Sequence, residues 1–351
     1  MVISRTPFRI SFFGGGTDYP CWYRNHDGAV LAATIDKYCY ITCRYLPPFQ
    51  EHRISVAYSK IELCNSVDEI KHPAVREVLR FLKVDRGVEI HTDADLPGRS
   101  GMGSSSAFTV GLLHAVHALQ GGMVGKRQLV KESLYLEQEI LKEAVGSQDQ
   151  VLAAHGGLNH ILFHSNNEIS VQPVTISTKR VQALNSHLML FYTGIKRTAS
   201  TIAATVINEV ERHERQLNIM NELVNEGLAT LKGDGDLSQF GELLHQAWQL
   251  KRSLGATVSS AEVDSLYARA RSAGAIGGKL TGAGGGGFLL LFARPERHCD
   301  IRDELSELIY VPLEISSSGS QIIYYEPERD YSVVERSRAT QTIRAFRELG
   351  S

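Results

Sequence analysis

The sequence predicts an α+β chain in two parts, and three observations carry that prediction. Strand-like segments dominate up to about residue 190, residues 198–272 are mostly helical, and short strands return after them. Two glycine-rich stretches, DLPGRSGMGSSSA at 95–107 and GGKLTGAGGGG at 277–287, each abut an apolar segment. The 351 residues leave room for two domains. They are drawn as 1–190 and 191–351, where the strand-rich part gives way to helices, because composition marks no boundary.

The first 60 residues read as strands joined by turns. FRISFF, AVLAATI and CYITCRYL are β-rich, with GGGTDYP and Asp27-Gly28 as breaks. Residues 67–83 read as a helix interrupted at Pro73. GVEIHTD alternates, so that Val88, Ile90 and Thr92 share one face of a half-buried strand. SSSAFTVGLLHAVHAL is apolar nearly all round, which predicts a helix buried on several sides. A second helix is expected over 126–144, and a short third one over 147–155 ending at Gly156-Gly157. LNHILFH, EISVQPV and HLMLFYTG are strands, GDGD breaks the helical region, and FLLLFA, IYVPLEI and SQIIYYEP complete the set.

With 43% hydrophobic and 22% charged residues, the composition is that of an ordinary globular protein. Lys and Arg number 37 against 39 Asp and Glu, a net charge of −2. That balance gives no general attraction to nucleic acid or to an anionic membrane, so an anionic ligand must be held by local geometry. The five cysteines form no C-x-x-C pair. Cys39 and Cys43 alternate with aromatics in KYCYITCRY, as half-buried strand residues do, and the reading is a reducing, cytoplasmic compartment. No apolar run is long enough to span a bilayer.

Three segments carry candidate chemistry. The loop-to-helix junction from Gly101 to Ser106 offers unpartnered N–H groups and a helix dipole to an anion. Its glycines let backbone approach a polyphosphate, and its serine hydroxyls can donate to oxygens or ligate magnesium. The plainer reading is a turn with serine N-caps. It is no Walker loop, having no lysine, and G-x-G-x-x-G fails at Ser106.

Glu137 lies on the stripe Val130, Leu134, Glu137, Leu141, Ala144, while Glu132, Glu139 and Glu143 face away. A carboxylate buried there needs a cation, a hydrogen-bond partner or a raised pKa, and a salt bridge to a buried Arg or Lys would also serve. Asp149 follows Ser147 in an S-x-x-Q capping box with Gln150, which puts the acid in the first turn of a helix. Glu137 is 12 residues upstream, and the two carboxylates are expected to face one cavity. GGMVGKR lacks Walker spacing, and His114 and His117 read as satisfied core residues.

Taken with PFRISFFGGGTDYP at 7–20, the two glycine-rich stretches resemble, in order and spacing, the three signatures of the GHMP small-molecule kinases. The middle one is similar to P-x-x-x-G-L-G-S-S-A-A, with Met102 for leucine and Ser106 for the first alanine. TPFRISFFGGGTDYP, ATIDKYCYIT, VGSQDQ and FYTGIKRTAS further resemble the bacterial D-glycero-D-manno-heptose 7-phosphate kinases.

The resemblance implies a ferredoxin-like second domain and an active site in the cleft between the domains. It implies that ATP phosphates are held by Pro97, Gly98, Ser100, Gly101, Met102, Gly103, Ser104, Ser105 and Ser106, with Gly282, Gly284 and Gly285 from the second domain. Ser105 and Glu137 match ligands of Mg²⁺. Asp149 matches the catalytic aspartate, with Arg9 as its basic neighbour. Asp18, in the turn with Gly15, Gly16 and Thr17, matches the carboxylate that binds sugar hydroxyls. Lys196 and Arg197 follow a strand and open a helix, where they are candidates for the substrate's phosphate.

The implied reaction is ATP-dependent phosphorylation of a phosphosugar at its C1 hydroxyl, with no nucleic-acid or membrane partner and with a homodimer left open. Kinases for L-fucose or galactose are the rival enzymes. A sugar-and-ATP sensor is disfavoured because Arg9, Ser105, Glu137 and Asp149 are all present.

Overall fold

The computed structural model describes residues 1–327 apart from 48, 99, 196–206, 208 and 256, together with 333, 336 and 337. Val2–Phe13 (β1) pairs antiparallel with Gly28–Tyr45 (β2). The sequence reading split β2 in two. It runs unbroken because Asp36 and Lys37 between the halves supply neither a glycine nor a proline to end pairing.

β2 is the spine of an eight-stranded sheet. Its first half pairs with Leu158–Phe163 (β6) and its second half with Val88–Ala94 (β5). Ile54–Ala57 (β3) joins β5 in parallel and forms a hairpin with Ile61–Cys64 (β4). Ile169–Pro173 (β7) borders β6, and Gln321–Tyr325 (β12) returns from the far end of the chain to border β1. The apolar helix Ser104–Leu119 (α3) covers β1 and β2 and buries Ala107, Val110, Leu113 and Val116, as its all-round apolar sequence requires.

The second sheet contains Leu188–Tyr192 (β8), Ala275–Leu280 (β9), Phe288–Ala293 (β10) and Ile309–Val311 (β11) in the order β11-β8-β10-β9. Numbered along the chain this is 4-1-3-2, the ferredoxin-like order expected. Every residue of β10 is buried. The helices Glu214–Lys232, Ser238–Ser253 and Ala261–Ser272 fill the connection from β8 to β9. Phe240 joins the two parts, meeting Phe12 and Phe13 edge-on with ring centroids 5.3 and 5.0 Å apart.

By sheet membership β8 belongs wholly to the second part and β12 to the first. We therefore propose that the division falls before Leu188 rather than at residue 190, with the chain crossing back ahead of Gln321. Among the described residues no helix is long and apolar enough to cross a membrane. Among the described residues no cysteine forms a disulfide, and Cys39, Cys43 and Cys64 are buried.

Candidate active site

Register between β1 and β2 slips twice, between Pro7 and Arg9 and between Ser11 and Phe13. Bulges re-aim the side chains beside them, and the first one sits at Arg9. Arg9 Nε donates to Asp149 Oδ1 at 2.6 Å and Nη2 to Oδ2 at 2.7 Å. Its Nη1 donates to the carbonyl of Gly101 at 2.7 Å, and its backbone N–H to the carbonyl of Met102 at 3.1 Å. One guanidinium thus locks a carboxylate to the loop 101–103 in a two-pronged, charge-assisted contact. The Asp149 side chain keeps 23% of its surface open, while that of Arg9 keeps 7%.

α3 begins after Gly103, whose φ of +73° suits glycine and whose N-cap position carries no side-chain cap. Serine capping of this helix, the plain reading of the sequence, does not occur. With no side-chain cap, this helix start is a place that favours an anion. A Cβ at Gly101 would lie 2.6 Å from the carbonyl oxygen of Thr281, and one at Gly282 would lie 2.5 Å from the Gly101 Cα. The two glycine-rich loops touch backbone to backbone, one from each part of the molecule.

The other loop positions divide by exposure. Pro97 and Gly98 are exposed and Ser104 is half-buried. Ser100 is buried with its hydroxyl unpartnered, and Met102 is a core side chain that offers the site only its backbone. Gly284 lies against the Val258 backbone, and the Gly285 N–H donates to the Val258 carbonyl at 2.9 Å.

Glu137 is fully buried, on a π-helical turn, Tyr135–Ile140, that continues the helix Lys126–Leu134. Such turns recur at functional sites. Its Oε2 accepts from Ser106 Oγ at 2.8 Å and from Gln150 Nε2, while its Oε1 is buried without a partner. Burial pushes its pKa up to about 7, against the lowering effect of the Thr109 hydroxyl and of Ser106 and Gln150.

Two expectations, a salt bridge to Glu137 and a capping box at Ser147, are corrected here. No buried Arg or Lys pairs with Glu137 among the described residues. The hydroxyl that meets it belongs to Ser106; Ser105, one position along the helix, is exposed. The capping box is not formed, because Gln150 is committed to Glu137 while Ser147 Oγ accepts from Gln138 at 3.1 Å. Glu132, which faces away from that stripe, is held by His117 at 2.7 Å.

Asp18 is 2% exposed beside the helix Gln148–His155 that carries Asp149. It accepts from the Gly16 N–H at 2.9 Å and from Gln148 Nε2 at 2.9 Å. Burial raises its pKa, and the nearby Asp149 charge adds to that. Gly146 is fixed by this contact, since a Cβ there would lie 1.9 Å from Asp18 Oδ2. Thr17 is fully buried, with its hydroxyl 2.8 Å from the Gly14 carbonyl and 2.9 Å from that of Ala29. It shapes the turn instead of facing a ligand. Gly15 and Gly16 are half-buried. Lys196 and Arg197 lie outside the described residues.

Two cations escaped the sequence reading. Lys251 is 8% exposed, and its Nζ donates to the carbonyls of Gly282 and, at 3.4 Å, Leu280. Lys279 is 3% exposed and donates to the Phe12 carbonyl at 3.0 Å, at the second bulge of β1. Burial pushes the Lys251 pKa down to about 8, and Arg9 pushes it the same way. Burial, with Lys251 and Arg9 nearby, sets Lys279 well below the usual lysine value. The stripe Phe240, Leu244, Trp248, Lys251 carries for Lys251 the same signal that identified Glu137.

Family models match in two places, the GHMP kinases N terminal domain over residues 69–157 and the GHMP kinases C terminal region over 221–310. Over 314 residues the chain is 28% identical to a D-glycero-alpha-D-manno-heptose 7-phosphate kinase of Campylobacter jejuni, covering 84% of this chain and 90% of that protein. It is 25% identical to the L-fucokinase/L-fucose-1-P guanylyltransferase of Bacteroides fragilis, covering 92% of this chain but 38% of that longer protein.

Among solved structures, a D-glycero-D-manno-heptose 1-phosphate kinase from Bacteroides thetaiotaomicron superposes with a TM-score of 0.74 at 23% identity, covering 93% of this chain and all of that one. Lactococcus lactis galactokinase bound to galactose gives 0.72 at 18% identity, covering 91% and 94%. These likenesses bear on the fold. Both halves of the family are matched in order, and their glycine-rich loops meet beside a paired arginine and aspartate. The chain belongs to the GHMP kinases and is an ATP-dependent phosphotransferase.

Proposed function

We propose that this GHMP sugar kinase transfers the γ-phosphoryl group of ATP to the C1 hydroxyl of D-glycero-D-manno-heptose 7-phosphate. The product is the 1,7-bisphosphate, a precursor of nucleotide-activated heptose for surface glycans. The observation that carries the chemistry is the Arg9–Asp149 pair docked on the loop 101–103. Phosphoryl transfer passes through a loose transition state, so positioning and charge neutralisation do most of the work. Asp149 orients the acceptor hydroxyl, Arg9 holds Asp149 and offsets charge on the transferring group, and Asp18 receives sugar hydroxyls. The likeness to the Campylobacter protein over most of both chains supports the choice of sugar.

The residues present fit Mg²⁺ as well. Mg²⁺ binds through one or two carboxylates and leaves its other positions to phosphate and water. Glu137, with one buried oxygen lacking a partner and a serine hydroxyl on the other, suits that demand. Glu137 with Ser106, and Ser105 on the exposed side of the same turn, would hold the ion. Bound there, it would neutralise charge on the phosphates.

The test is kcat/KM with ATP for heptose 7-phosphate, free heptose, L-fucose and galactose under identical conditions. Charge-assisted contacts to a phosphate dianion contribute roughly 1.5–3 kcal/mol each, so the 7-phosphate should win by about 10²-fold or more. Lys196 and Arg197 are the proposed contacts, and replacing both with alanine should erase that preference while leaving free heptose unaffected. Equal or better use of an unphosphorylated sugar rejects the heptose reading. A winning fucose or galactose puts one of those sugars in its place.

A further inference from the structure

We propose that Lys251 is the nucleotide-binding cation of this enzyme, reaching the triphosphate from the helix behind the second glycine-rich loop. This inference rests on the ATP-dependent activity and not on the identity of the sugar. The loop at 97–107 contains no lysine of the kind a Walker loop carries within itself, and Arg99 is its one basic residue. Arg99 in that loop lies outside the described residues.

Lys251 stands where both loops can share it. Its Nζ donates to the Gly282 carbonyl, and Gly282 packs directly on Gly101. An ammonium has three N–H donors, and the contacts to Gly282 and Leu280 use two. Both acceptors are neutral.

A buried cation without an acid partner is costly, and helix stripes rarely carry one without cause. The surrounding charges make the cost greater. Arg9 and Lys279 repel Lys251, and Asp18 is the acid that attracts it. Asp149 is already committed to Arg9 through both oxygens. Three basic side chains thus converge on the place where the loops meet, and the two carboxylates there are already engaged, Asp149 by Arg9 and Asp18 by Gln148. Among the described residues Lys251 has no acid partner of its own, and a triphosphate would supply one. Lys279, set well below the usual lysine value, is committed to the Phe12 carbonyl across the domain boundary.

The experiment compares wild type with Lys251→Met and Lys251→Arg, using inorganic tripolyphosphate and adenosine as separate probes in calorimetric titrations. Lys251→Met should weaken tripolyphosphate binding by about tenfold or more, the worth of one charge-assisted contact, and leave adenosine binding unchanged. Lys251→Arg should recover part of the loss. The melting temperature of ligand-free Lys251→Met should hold or rise, because an apolar side chain of similar length replaces an unpaired buried charge.

Tripolyphosphate binding within about threefold of wild type, a change of less than 1 kcal/mol, would overturn the proposal. So would equal loss of both probes together with a lowered melting temperature, which would mark Lys251 as structural. A measurement on the wild type guards against a variant that fails to fold. The side-chain ε-carbon resonance of Lys251, titrated with and without tripolyphosphate, should show its midpoint moving upward by about one pH unit or more as the anion stabilises the charged form. An unmoved midpoint rejects the contact.

Discussion

Glu137 and Asp149 are close in sequence and opposite in environment. Asp149 is held as an ion pair, with both oxygens on one guanidinium and an open edge toward solvent. Glu137 is closed off, its donors are a serine and a glutamine, and one oxygen has no partner. Paired carboxylates whose surroundings differ in this way serve different tasks. Under the proposed function the first would orient a hydroxyl and the second would receive a cation.

The largest expected effect comes from breaking the ion-paired member. Asp149→Asn keeps size and most hydrogen bonding but removes the charge that Arg9 grips. kcat should fall by about 10²-fold or more, in the range of general acid–base and orienting contributions. Nucleotide affinity, measured by titration, should change little. If ATP binding collapses while kcat survives, the two roles have been assigned to the wrong carboxylates.

Glu137→Gln should also remove most turnover, with the opposite effect on stability. The folded-state pKa of about 7 lies above the ordinary glutamate value of 4.5. The free protein therefore has this stability contribution in full below pH 4.5 and loses it as pH rises through 7. The loss approaches roughly 3 kcal/mol at alkaline pH. Thermal melts in a chelating buffer should find Glu137→Gln gaining on the wild type between pH 5 and pH 8. Parallel curves for the two proteins would mean that Glu137 is not the raised group.

The smallest effect separates two neighbouring serines. Ser106→Ala removes a donor to Glu137, leaves that carboxylate with one fewer partner, and should lower the melting temperature by the equivalent of about 1 kcal/mol. Ser105→Ala touches nothing buried and should leave stability alone. If it nonetheless raises the magnesium concentration needed for half-maximal rate, Ser105 is a ligand when nucleotide is bound. If only Ser106→Ala does so, the ligand is the residue the free structure already pairs with Glu137.

The burial of Glu137 was legible from helical spacing, but only Val130 of its four flanking positions is buried, and the helix ends at Ile140, before Leu141 and Ala144. The same arithmetic would have marked Lys251, had positive residues on stripes been weighed like acids. The Arg9–Asp149 contact joins residues 140 apart and depends on a bulge in β1, which no local pattern announces. It was expected only through family resemblance. The helix start near Ser147 was correct, but its reason was not. A capping box and a glutamine satisfying a buried carboxylate read alike in one dimension. The ferredoxin-like strand order also came from resemblance, since spacing gives strands and not their neighbours.

The chain passes between its two sheets twice, at His187–Leu188 and again between Val311 and Gln321. These passages are not at opposite ends of the molecule. The Ile315 N–H on the second donates to the Asn185 side chain beside the first, at 3.0 Å. The covalent connections are therefore gathered at one place. If the two parts were to separate at the glycine-rich loops, both crossings would have to turn together, since one hydrogen bond ties them.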